Sequence, residues 1–463
     1  MITQVIWARQ VVGVPESPFL PGPAQRPIRI TFHDESYAAA PAEQVKAVAL
    51  LRELAWLPEV DAIDTAQGSP AWLQLEYDKA KERFLPVVVK SRDSTRHTAL
   101  ELSELALHAH PHAGKVRNWS ECQRSPVLED FVVAAAHQKL RSDILVTLAP
   151  SLMNHRDSTI LRKANPRTPI EALKIVGLLL RARGNFTYTA SQLGRGGLDR
   201  GLFYWVLARH RLPRMWRYFS GCVESSKAGH RGILELAQSI LVRSMRALEA
   251  RDAVGSQFYL PQDTNARDAT MYHFDYLTLL LSGIFDVQAR VAARAYRIRK
   301  PPEHWSSFRN DAFLSSLKAA GAGELLEIAT AESFRDVMTL LCRLRKTIHG
   351  EALSIASHAA TDRTPRSFVR IDPQDGLELR EAAARRGSAE RWGFRQKGEV
   401  EFEPYTYSVA LVDECLKKID AIAGATDVAL LVPEGAASVN LIDAPPNDRE
   451  FHEDVRERLD MLG

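Results

Sequence analysis

The feature that most constrains this chain is a pair of long apolar seams in its second half. Phe274, Leu277, Leu281, Ile284, Val287, Val291 and Ala295 follow one another in steps of three and four. Phe334, Val337, Leu341, Leu344, Ile348, Ala352 and Ile355 do the same. Only an α-helix stacks such positions on one face. The spacing predicts a helix from Met271, stopped at Lys300-Pro301-Pro302, because the residue before a proline is pushed out of the helical region. It predicts a second from about Ser333 to Ala360. Each seam needs an apolar partner, and two antiparallel helices, with a weaker helix at Phe313–Leu326 between them, satisfy both. Another helix is expected over Tyr405–Ala423, with Val409, Val412, Leu416 and Ile419 apolar.

Upstream the pattern changes. Residues 131–260 carry helical spacing at Phe131–Leu148, Pro169–Arg183 and Arg231–Arg251, followed by the linker YLPQDTNARD. Residues 1–130 mix β-branched and aromatic runs at Val5–Val14, Ile28–Phe32, Trp72–Tyr77 and Phe84–Lys90 with helices at Gln44–Trp56 and Thr98–His108. The expected fold class is therefore α+β, mainly α. An α+β domain at 1–130 is followed by a helical domain at 131–260, a helical bundle at 268–425 and a tail at 426–463 holding one strand, Val428–Val432.

The formal charge of +3 gives the whole chain no pull toward a charged partner, so any nucleic-acid affinity must come from a local patch. Cys122, Cys222, Cys342 and Cys415 are scattered without a C-x-x-C pair, which fits a reducing cytoplasm. No apolar run reaches the ~18–20 residues of a membrane span, and no membrane is expected. His108, His110 and His112 sit beside Pro and Gly and read as solvated; no metal or cofactor is expected.

Chemistry concentrates in the segment Leu341–Leu353. Arg345 and His349 are four apart and stack on one helix face, about 100° from the seam. A histidine titrating near neutrality moves protons. An arginine holds a phosphate oxygen and stabilises charge developing on it. On RNA the 2′-hydroxyl supplies the nucleophile, so such a pair suits metal-independent phosphodiester cleavage. Arg343 and Lys346 are auxiliary charges. Arg343 is an alternative partner for His349, with five residues between them. Asp286, on the first long helix, is placed to orient Arg345 or His349. The same residues also suit a solvated helix face.

From about Met271 to Ala423 the chain resembles HEPN domains, on the helix FDYLTLLLSGIFDVQARVAARAY and on LRKTIHGEAL in the second helix. The resemblance implies a bundle built on two long antiparallel helices, and ribonuclease activity of a bacterial defence or toxin type. It makes Arg345 the motif arginine, Lys346 its polar follower and His349 the motif histidine, with two motifs meeting across a homodimer. A second stretch, about 170–212, resembles the helix-turn-helix of Fis-type proteins. Gly184-Asn185 would end one helix, Thr187 to Leu193-Gly194 would form the short one and Leu198–His210 the recognition helix. It implies nucleic-acid contact by Arg195, Arg200, Tyr204, Arg209 and Arg211. The expected partner is RNA, with DNA the lesser alternative. A non-enzymatic DNA-binding regulator and a protein-interaction scaffold remain the competing readings.

Overall fold

The structure, a computed structural model, describes residues 17–20, 26–64, 77–78, 83–84, 130, 133–134, 137–138, 141–154, 164–230, 232–298, 306–350, 353–358, 366–395, 400–432 and 453–463. The strands expected at Val5–Val14 and over most of Trp72–Tyr77 and Phe84–Lys90 lie outside them. So do the helix at Thr98–His108, the three histidines there and Cys122. The described chain is mainly helical with a small parallel sheet. It divides into two compact units, Met1–Arg183 with Thr189–Gly196, and Gly184–Tyr188 with Gly197–Gly463.

In the first unit, β1 (Ile28–Phe32), α1 (Ala42–Leu54) and β2 (Val60–Asp64) are followed by the short pair β3 (Tyr77–Asp78) and β4 (Arg83–Phe84). Then come β5 (Ile144–Val146), α2 (Pro150–Met153), β6 (Pro166–Arg167) and α3 (Pro169–Ala182). Four strands form a parallel sheet in the order β2-β1-β5-β6. The helix expected over Phe131–Leu148 is thus corrected at its end. Ile144, Leu145 and Val146 are at most 1% exposed, and such short runs buried on both faces suit a parallel strand as well as a helix. Helix α3 begins as its sequence directs. The Thr168 hydroxyl accepts from Glu171 N–H, and the Glu171 carboxylate accepts from Thr168 N–H, a cap contributing about 1 kcal/mol.

A hairpin follows, β7 (Thr187–Ser191) and β8 (Gly194–Gly197). It stands where the short helix of a helix-turn-helix was expected, so that motif is not formed between 170 and 212. Thr187, Tyr188 and Thr189 favour extended backbone, and Gly194 adopts φ +154°, closed to residues with a side chain.

The second unit is built from α4 (Arg200–Arg211), α5 (Met215–Lys227), α6 (Ile233–Phe258), α7 (Thr264–Ala295), α8 (Asp311–Ala319), α9 (Gly323–Thr330) and α10 (Glu332–Gly350). Strands β9 (Ser354–His358) and β10 (Arg366–Arg370), helix α11 (Pro373–Arg385), strand β11 (Glu401–Phe402), and helices α12 (Pro404–Ala425) and α13 (Glu453–Leu462) complete it. Helices α6 and α7 are antiparallel: Arg294 lies beside Gly232 and Arg243 packs onto Gly283. Helix α12 runs parallel to α7, with Phe274 against Tyr407 and Gln288 donating to the Ile419 carbonyl. It runs antiparallel to α10, with the Tyr407 hydroxyl donating to the Leu340 carbonyl and Lys418 to the Ser333 hydroxyl. Helices α7 and α10 are therefore antiparallel, as their seams require, and share their core with α6 and α12. One apolar core runs from Phe186 to Leu459, so the linker expected near 260 joins two helices of a single bundle. An 18-residue stretch of α7 has the apolarity of a membrane span, but 72% of it is buried inside the structure.

Two further expectations are corrected. The second long helix ends at Gly350, and Ile355, assigned to its seam, lies in β9, paired antiparallel to β10. Glycine at the end of a helical run is a helix stop. Val428–Leu431 is a 3-10 turn instead of a strand, started by the Asp427 carboxylate accepting from Ala429 N–H.

Candidate functional site

Helix α10 separates its chemistry from its packing. Leu340, Leu341 and Leu344 are fully buried, while Arg343 and Arg345 are half-exposed and Lys346 is exposed. Arg345 Nη1 donates to Asp286 Oδ2 at 3.1 Å, with each side chain 37% exposed. Asp286 lies on α7 between the buried Phe285 and Val287. The facing of the two seams thus brings Arg345 and Asp286 together at the bundle surface. His349 follows one turn later on α10; its side chain lies outside the described residues.

A second arginine that sequence reasoning missed belongs to this patch. Arg309, exposed in the loop before α8, acts on the Cys342 thiol, as Arg345 and Asp286 also do. Burial pushes the Cys342 thiol up, and the two guanidinium groups oppose the rise. Nothing in the spacing of Arg309 could have announced it, because a loop residue has no periodicity to place it. Arg343 turns the other way, toward α11, where it pairs with Glu378 and, at 3.2 Å, with Asp375. Two residues along a helix rotate by about 200°, so Arg343 and Arg345 cannot grip one ligand from one face.

The residues expected to hold nucleic acid are dispersed. Arg195 is exposed on β8. Arg200 is exposed and ion-paired with Glu249. Tyr204 is corrected: it is 4% exposed, and its hydroxyl donates to Asp252 Oδ2 at 2.9 Å. Asp252 is held in turn by the buried Arg251 at 2.8 Å. Tyr204 belongs to this interior network and cannot read a groove. Arg211 is corrected too, since it pairs with Asp460 and, at 3.0 Å, with Asp413 as a tie between helices. Arg209 lies over Trp205 at 3.9 Å and over Trp216 at 3.6 Å from the ring centroids. Arg200, Arg211 and Arg214 are met by carboxylates, so much of the basic run in the sequence is paired within the fold.

The chain matches no family model, no curated protein and no solved structure.

Proposed function

We propose that this is a HEPN-like RNA-binding protein that cleaves single-stranded RNA without a metal, as an endoribonuclease of a defence or toxin type. One observation carries the reading. Arg345 is held by Asp286 of the antiparallel helix, half-exposed at the bundle surface, one turn before His349.

In the reaction, His349 removes the proton of the RNA 2′-hydroxyl. The 2′-oxygen attacks the adjacent phosphorus, and the bond from phosphorus to the 5′-oxygen breaks. The products are a 2′,3′-cyclic phosphate and a 5′-hydroxyl. The leaving oxygen takes its proton from His349 of a second copy in a homodimer formed through the long helices. Arg345 neutralises the charge gathering on the phosphate oxygens, with Asp286 fixing its orientation and Arg309 adding a second guanidinium.

The test is cleavage of labelled single-stranded RNA in EDTA by wild type and His349→Ala. Cleavage by the wild type and none by the variant supports the reading; equal cleavage by both rejects it. A scaffold is the second reading, favoured by the same Arg345–Asp286 pair if it serves only to join two helices. It gains if neither protein cuts RNA while Asp286→Asn still disturbs dimerisation.

A further inference from the structure

The aromatic corner between α4 and α5 has a composition unlike the rest of the bundle surface. Arg209, near the end of α4, stacks on Trp205 one turn earlier and on Trp216 in the first turn of α5. Trp205 is packed against the core of the bundle, whereas Trp216 is not part of the buried core. All three side chains are partly exposed, and His210, Pro213, Arg214 and Arg217 around them are exposed. The Arg214 backbone N–H donates to Asp420 Oδ1 at 2.8 Å, while its guanidinium stands 3.8 Å from that carboxylate with 59% of the side chain exposed.

A tryptophan outside the core costs hydrophobic stabilisation that burial would provide. Here its ring is kept flat against a guanidinium, with the exposed Arg214 and Arg217 two positions before it and one after it in the chain. This is the chemistry by which proteins hold single strands: a π face for the base and positive charge for the phosphate that follows. A surface built only for helix packing needs neither a partly exposed indole under a guanidinium nor the exposed arginines beside it in the chain.

We propose that Trp216, backed by Arg209 and Trp205, is a stacking platform for an unpaired nucleobase of single-stranded RNA, with Arg214 and Arg217 facing the flanking phosphates. This rests on the RNA reading above and assigns a contact that reading lacks. The helix α4 does not read base edges. It carries an arginine that orients an indole, and the indole takes the base.

The experiment uses the full chain and a fluorescent twelve-nucleotide oligoadenylate, 2′-O-methylated so that it lacks the attacking hydroxyl. Anisotropy titrations at several salt concentrations compare wild type, Trp216→Ala and Trp216→Phe, each checked for an unchanged thermal melt. Losing one stacked base weakens binding by about 5- to 150-fold. Because no phosphate contact is lost, the dependence of log Kd on log salt keeps its slope. Trp216→Phe restores most of the affinity, and an oligonucleotide with abasic sites binds wild type as weakly as the intact one binds Trp216→Ala. Affinity of Trp216→Ala within about twofold of wild type, or no penalty for abasic sites, overturns the platform. If His349-dependent cleavage persists in that case, the platform alone has failed. If wild type binds no oligonucleotide, the platform and the RNA reading fall together.

Discussion

Two arginine–aspartate pairs in the helical unit look alike on paper and differ in surroundings. Arg251 and Asp252, neighbours on α6, have side chains 4% and 7% exposed. Arg345 and Asp286, joining α10 to α7, are both 37% exposed. The first pair is desolvated and closed by a third group, the Tyr204 hydroxyl. The second keeps water on both charges. Interior ions cost several kcal/mol each to desolvate, so the buried pair holds only while every partner is present. An exposed pair is screened and contributes about 0–1 kcal/mol. Burial, not pairing, therefore separates an arginine that maintains the fold from one whose ion pair water already screens.

That contrast is easiest to break at the buried pair. Asp252→Ala strands the Arg251 charge and should cost about 3–5 kcal/mol, read as a lower urea midpoint for the full chain. A loss below about 1 kcal/mol would show that water reaches the site and that the two pairs are equivalent. Arg345→Ala should behave in the opposite sense. Stability changes by less than about 1 kcal/mol, while RNA cleavage falls by about 10²–10³-fold, as when one donor to a developing oxyanion is removed. Unaltered cleavage with a large fall in stability would transfer Arg345 to the structural class. Tyr204→Phe is the smaller test of the interior network. It removes one donor from a buried carboxylate and should cost about 1.5–3 kcal/mol, with no change in affinity for RNA. Weakened RNA binding at unchanged stability would return Tyr204 to the surface role that its sequence position suggested.

The seams were legible because helical periodicity is local and repeats: Phe274 to Ala295 and Phe334 to Ile348 lie on the expected helices. Asp286 opposite Arg345 was legible for the same reason, since two facing seams put neighbouring positions side by side. The end of the second helix was not, because Ala352 and Ile355 continue the spacing while pairing with β10 depends on residues a dozen positions away. Ile144–Val146 was misread because three apolar residues carry no period at all. Tyr204 and Arg211 looked like nucleic-acid contacts because their acidic partners, Asp252, Asp413 and Asp460, are 48 or more positions distant. Charge read along a sequence counts the arginines and misses the carboxylates that the fold brings to them.

Glu414 lies between the two extremes and gives the finest test. Its carboxylate on α12 is 3% exposed, yet its partners Arg386, Arg391 and Lys417 are 25%, 49% and 65% exposed. Burial alone would raise its pKa, but hydrogen bonds from Arg386 and Lys417 outweigh it and hold the group below the usual carboxylate range. A folded-state pKa below the unfolded value of about 4.3 gives a stabilisation that is fully present above that value. It is lost as pH falls through the lower, folded-state pKa, because the unfolded chain takes up the proton first. Removing the charge leaves the three bases in contact with water, so Glu414→Gln should cost only about 1 kcal/mol at pH 7. The measurement is the difference in urea midpoint between wild type and variant at pH 7, 5, 4 and 3.5. The other carboxylates titrate in both proteins and cancel from that difference, which should shrink below about pH 4.3. A constant difference would mean that Glu414 acts through its shape, and that a buried acid with exposed bases belongs with the Arg345 pair. A cost at pH 7 as large as that of Asp252→Ala would place it with the interior pair, and would show that burial of one partner is enough.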